Sequence, residues 1–258
     1  MERVRSAATA LLSATVIIAI WHYAIIWFHV PNYLMPAPGA VVEALKRGYI
    51  AGEFWKHLVF TLKSTLLGYV TGCGSALLIG AALAEWPAVE RLVMPYIVAL
   101  QSMPKVALAP LIIVWFGFGL ESKIVMVALI CFFPMFVNTV AGLRQTDPTL
   151  IEMMRAYSGS RWRTFVRIKV PAAAGTIFAG LQIAVVLSLI GAIVAEFISS
   201  TEGLGYLISA ASTTLDTSVM FAALFSLAAL GITGSAVVRS VHRKLVFWGK
   251  SASAAAKE

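Results

Sequence analysis

Residues 152–175 read EMMRAYSGSRWRTFVRIKVPAAAG. They stand between two long uncharged runs, IVMVALICFFPMFVNTVAGL at 124–143 and VPAAAGTIFAGLQIAVVLSLIGAIVA at 170–195. About 20 apolar residues at 1.5 Å rise cross the hydrocarbon of a bilayer, so each run predicts a membrane-spanning helix. A basic loop joining two spans belongs on the cytoplasmic side. Within it Met153, Met154, Tyr157, Trp162 and Phe165 interleave with Glu152, Arg155, Arg161 and Arg163. That pattern suits short helices that offer one apolar face to a soluble partner.

The composition agrees with a lipid environment. The chain has 258 residues, 60% hydrophobic and only 12% charged, where soluble domains carry about 25% charged residues. A net charge of +8 suits nucleic acid in principle, but the positive residues flank apolar runs and no soluble binding module is present. Loops obeying the positive-inside rule account for the charge better. Cys73 and Cys131 fall inside predicted spans and read as small core residues, not a disulfide. The four histidines lack metal-ligand spacing, no phosphate-cradling G-x-x-x-x-G-K-[ST] loop occurs, and no nucleophile–base pair emerges. The chain alone reads as a non-enzyme without a metal or cofactor of its own.

Uncharged or nearly uncharged runs fall at 7–30, 64–84, 92–120, 124–143, 170–195 and 217–238. The third exceeds one ideal crossing and is interrupted by Pro95, Pro104, Lys105 and Pro110. Its halves are too short to span separately, so it reads as one broken crossing and the total as about six. The N-terminal run reads as a retained first span. Six crossings put both termini on one side. The termini with the 85–91 and 144–169 loops hold 14 of the 20 Lys and Arg residues, so that side is cytoplasmic. Residues 31–63 read as an amphipathic interfacial segment leading into the second span, and residues 199–216 as a re-entrant or surface hairpin on the outer face. No repeat or second soluble domain is evident. The whole of 1–258 reads as one membrane domain, with its core at about 55–245.

Glu152, Ile168 and Pro171 stand in the register of the E-A-A-x3-G-x9-I-x-L-P signature of bacterial ABC importer permeases. The chain also resembles the nitrate/sulfonate/taurine branch of that family through MPKVALAPLIIVWFGFG (103–119), FFPMFVNTVAGLRQTDP (132–148), SGSRWRTF (158–165), IGAIVAEF (190–197) and GLGYLI (203–208). The resemblance implies an all-α polytopic fold of the type I importer class and a homodimer lining one central path. It also implies separate ATP-binding subunits that hold ATP and Mg, and a periplasmic or lipid-anchored solute-binding protein, all at a bacterial plasma membrane. It places ATPase-coupling helices at about 149–165, with Glu152, Met153, Met154, Arg155, Ser158, Gly159, Arg161, Trp162 and Pro171 at the motif positions. Met153 and Met154 replace the two alanines, Val170 replaces the leucine, and Ser158 holds the glycine position. Gly159, one residue later, is expected to serve the turn in its stead. The branch implies a small anionic substrate of sulfonate, taurine or nitrate type; related permeases carry pyrimidine vitamin precursors, riboflavin or aromatic carboxylates.

Polar residues inside the spans are the candidate pathway: Gln101, Lys105, Asn138, Gln182 and Glu196. Two readings stand for Lys105, a cation facing an anionic substrate or a structural partner of Glu196. Glu196 is equally a gate or a packing partner. Gln101, Asn138, Gln182 and Ser188 also suit hydrogen bonding between helices. Were Lys105 and Glu196 a titrating pair, the chain would be an ion-coupled secondary transporter, which the partner-docking loop argues against.

Overall fold

The computed structural model describes residues 2–248. Helices account for the architecture, and no strand occurs among the described residues. In order they are α1 (Glu2–Trp27), α2 (Pro38–Ile50), α3 (Glu53–Ala84), α4 (Pro87–Ser102), a 3₁₀ turn (Lys105–Leu108), α5 (Ala109–Phe116), α6 (Leu120–Arg144), α7 (Pro148–Ala156), α8 (Arg161–Thr164), a π turn (Phe165–Lys169), α9 (Val170–Ser199), α10 (Leu204–Thr213) and α11 (Thr217–Leu245). Lys250 and Lys257 of the basic tail lie outside the described residues.

Four helices are long and apolar enough to cross a bilayer: α3, α6, the continuous helix Arg161–Ser199, and α11. A fifth candidate is the pair Pro87–Ser102 and Lys105–Phe116, bent by 84° at the break. The apolar part of α1, Leu12–Trp27, is shorter than these, so the described residues give four or up to five candidate spans where the sequence predicts about six. The contacts made by α6 show that the bent pair crosses instead of turning back. Near one end of α6, Arg144 Nε lies 3.0 Å from the Glu90 carboxylate in the first turn of α4. Near the other, Lys123 donates to the carbonyl of Phe118, just past α5, at 2.7 Å. Lys123 and Arg144 are about 32 Å apart at 1.5 Å per residue, a full bilayer thickness. Hence α4 starts at one face and α5 finishes at the other.

The residues form two compact units. One comprises Leu62–Ser200 and the segment from Ala229. In it α6 packs along α9 around Val127, Cys131, Met135, Phe136 and Ala184. Both cysteines are free and buried. Hydrophobicity does not drive helices together in lipid, so close approach does the work, and small residues permit it. A Cβ at Gly72 would meet the Ala128 carbonyl oxygen at 2.5 Å, and one at Gly180 would meet Asn138 Cβ at 2.8 Å.

The other unit comprises the segment up to Thr61 and Thr201–Ala228. Here α2 buries Val41 and Ala44 against Phe54 and Ala222, and Tyr49 donates to Ser226 Oγ at 2.8 Å. Helix α3 begins at Glu53, earlier than the apolar run at 64. Gly52, at φ 89°, makes the turn between it and α2. Within the 199–216 stretch the chain forms one short helix, α10, flanked by connections to α9 and α11, and not a hairpin. The backbone N–H groups of Gly203 and Leu204, just before and at the start of α10, donate to His57 Nδ1 at 3.0 Å and Thr61 Oγ1 at 2.8 Å.

Candidate functional site

The loop between α6 and α9 is built from standard helix-end chemistry. Asp147 caps α7: its carboxylate accepts from Thr149 N–H at 2.8 Å, and Pro148 at the first helical position lacks a donor that would otherwise be orphaned. Those Thr149 bonds, backbone first and then side chain, hold the Asp147 carboxyl below the usual aspartate range. The cap is therefore made above that range and lost as pH falls through the lowered value. At the other end of α7, Ser158 N–H reaches the Arg155 carbonyl at 2.9 Å and Gly159 N–H reaches that of Met154 at 2.8 Å. This paired pattern is a Schellman motif. Ser160 then caps α8, accepting from Arg163 N–H at 3.3 Å.

The Schellman motif corrects one expectation. The left-handed residue is Ser158, at φ 54°, which stands at the motif's glycine position although it is a serine. Gly159 is needed for a different reason: a Cβ there would lie 2.8 Å from the Met154 carbonyl oxygen. A non-glycine residue in the left-handed region costs about 1 kcal/mol or more, partly offset because glycine adds chain entropy when unfolded. Ser158→Gly is thus expected to stabilise by less than about 1 kcal/mol, whereas Ser158→Val is expected to destabilise by about 1–2 kcal/mol. Thermal unfolding of the purified protein in detergent measures both.

The outward face of this turn is apolar. Leu150, Met153, Tyr157 and Trp162 are exposed, Tyr157 at 81% and Trp162 at 71%, and Trp162 stacks on Phe165. Glu152, Arg155 and Arg161 surround them and are exposed as well. A cavity of about 560 Å³ lies behind, lined by Glu85, Trp86, Arg155, Gly159, Arg161 and Lys169 among others. Lys169 pairs with Glu85 at 2.6 Å, joining the end of α3 to the π turn. Pro171 has no N–H to donate and leaves a gap in the helical ladder. The π turn falls just before it, where such a register defect is accommodated. The Pro171 carbonyl accepts from Trp248 Nε1 at 3.2 Å.

The intramembrane polar residues do not form one cluster. Asn138 donates to the Pro134 carbonyl of its own helix at 2.7 Å. Ser188 is buried and bonds to the Val185 carbonyl, while Gln182 is half-buried and Gln101 exposed. Lys105 donates to the Gln101 carbonyl at 2.7 Å and sits 4.8 Å from the centre of the Phe133 ring. It makes no ion pair within 4 Å among the described residues. The cation on which Glu196 acts is Lys123. Both are fully buried, and the ammonium also donates to Ser199 O at 2.8 Å and Ser199 Oγ at 3.1 Å.

Sequence reasoning counts Lys123 only among the six Lys and Arg residues off the basic side, because it sits at the start of α6 and Ser199, which accepts from it, is remote in the chain. The Glu90–Arg144 pair was missed for the same reason.

Comparison with known proteins adds to this geometry. The family model for the binding-protein-dependent transport system inner membrane component matches residues 74–247. The riboflavin transport system permease protein RibX of Chloroflexus aurantiacus is 34% identical, over 91% of this chain and 88% of its own length. The putative aliphatic sulfonates transport permease protein SsuC of Bacillus subtilis is 33% identical, over 93% and 87%. Among solved structures, an inward-facing MetNI methionine ABC transporter chain superposes with a TM-score of 0.55 at 19% identity, covering 72% of this chain and 93% of that one. The last likeness is one of fold.

Proposed function

We propose that this chain, which belongs to the binding-protein-dependent transport system inner membrane components, works as a homodimer coupled to ATP-binding subunits and moves a small anion into the cell. It is an ABC importer permease of the sulfonate/taurine-type branch and a multi-pass bacterial membrane protein. The finer reading is carried by the α7–α8 turn: an exposed apolar face, ringed by charge and held by two caps and a Schellman motif, at the positively charged ends of the spans.

The mechanism follows from that placement. ATP would be held and hydrolysed in the partner subunits. Their closure would carry α7 and α8 with it, and because α8 continues without interruption into α9, the movement reaches the span as a rigid-body swing. Both termini and the 144–169 loop then lie inside, as the 14-to-6 division of Lys and Arg favours. Solute handed over by a binding protein outside would pass between two copies. A sulfonate-type anion is the substrate class we favour; the riboflavin and sulfonate names of the relatives show that similar permeases serve different solutes.

The test is reconstitution in proteoliposomes with the cognate ATPase and binding protein. Taurine or ethanesulfonate uptake is expected only when all three components and ATP are present. Uptake that ignores ATP and follows an imposed proton or sodium gradient would replace this reading with an ion-coupled transporter.

A further inference from the structure

The break between α4 and α5 lies half-way across the membrane. Phe133 is roughly 15 Å along α6 from either Lys123 or Arg144, which mark the two faces through their bonds to Phe118 and Glu90. Lys105 holds its ammonium 4.8 Å from the Phe133 ring, so it sits at the same depth. Around it Gln101, Ser102, Met103 and Pro104 are exposed, and the regular ladder is interrupted at Met103–Pro104. Irregular backbone at membrane depth is not tolerated against lipid tails; it occurs where protein covers it or water lines it. An ionisable side chain at that depth obeys the same rule.

The ammonium itself decides between those two. It has three N–H donors, and one is used by the Gln101 carbonyl. No other hydrogen-bond or ion-pair partner for Nζ occurs among the described residues, although the side chain is half-exposed. A cation left with spare donors on an exposed face is placed for water and anions. We propose, building on the importer-permease reading, that the break is a water-lined station in the translocation path, where Lys105 meets the anionic group of a passing solute.

The test needs no knowledge of the solute. In the full transporter complex in membranes, Ser102→Cys is treated with two methanethiosulfonates of similar size, the anionic sulfonatoethyl and the cationic trimethylammonioethyl reagent. Cys73 and Cys131 are buried, so the parent chain is the blank. Both reagents are expected to react, the anionic one preferentially. Adding Lys105→Met should lower the anionic-to-cationic rate ratio about tenfold, the effect of one nearby charge in a partly aqueous setting. Lys105→Arg should preserve it. A position reached by a membrane-permeant maleimide but by neither charged reagent, or a ratio that Lys105→Met leaves unchanged, overturns the station. Labelling is read without transport, so the two readings fail separately. A parent complex lacking ATP- and binding-protein-dependent uptake counts against the importer, and normal uptake with an unreactive Ser102→Cys counts against the station alone.

Discussion

Lys123→Met is expected to destabilise the protein by about 3–5 kcal/mol, the cost of stranding its buried acceptors at about 1–3 kcal/mol each. Lys123 is wholly buried, and its ammonium binds the Phe118 carbonyl, the Ser199 carbonyl and the Ser199 hydroxyl. Removing it strands two carbonyls that close the ends of α5 and α9, and takes away a charge that interacts with buried Glu196. Thermal unfolding of the detergent-solubilised protein should show a midpoint lower by roughly 10 °C, at 2–4 °C per kcal/mol for a chain of this size. Lys123→Arg should not rescue it, because the planar guanidinium cannot occupy a site shaped around a compact ammonium. Adding Glu196→Gln should recover part of the loss, because the carboxylate charge that acts on Lys123 is then gone as well. An unchanged midpoint in Lys123→Met, or a double variant no better than the single, would remove this pair from the stability of the fold.

That pair also shows where sequence reading succeeds and where it stops. Span positions were legible because length and apolar content are local properties, and the lipid requirement turns them into crossings. The broken crossing was legible from Pro104 and Pro110, since proline removes a ladder donor. The charged, aromatic loop at 152–165 announced short helices by its alternation. By contrast, the Lys123–Ser199 and Glu90–Arg144 contacts join residues far apart in the chain, and single residues carry no mark of a partner that tertiary packing will supply. The early start of α3 was hidden because residues 53–63 mix Lys56, His57 and Lys63 with apolar residues, a pattern shared by an interfacial helix and the exposed end of a span. Ser158 was misjudged for a subtler reason. Glycine is the residue that favours the left-handed region and so points to Gly159, whereas the Schellman hydrogen bonds impose that conformation on the preceding serine.

Gly159→Val is expected to lower binding-protein-dependent uptake about tenfold or more, with insertion and core stability nearly unchanged. The added Cβ would lie 2.8 Å from the Met154 carbonyl oxygen and 2.9 Å from Met154 Cε. The methionine end can swing away, but the carbonyl cannot: it is the acceptor of the Gly159 N–H at 2.8 Å, the bond that closes the Schellman motif. The last turn of α7 must open or the α7–α8 angle must change. Either outcome moves Leu150, Met153 and Tyr157 relative to Trp162, and if these form the ATPase docking face, a displacement near 1 Å is enough for a loss of this size. The effect stays local because α7 buries none of its residues, so the thermal midpoint should hold. Glu152→Ala provides a second arm: it removes a carboxylate exposed on the same face without disturbing the turn, and should weaken retention of the ATPase subunit on purification. Gly159→Ala, with the same Cβ and no branches, should fall between the parent and Gly159→Val. Parental uptake and full ATPase retention in both Gly159→Val and Glu152→Ala would mean that this turn, however well built, is not where the energy of ATP enters the membrane domain.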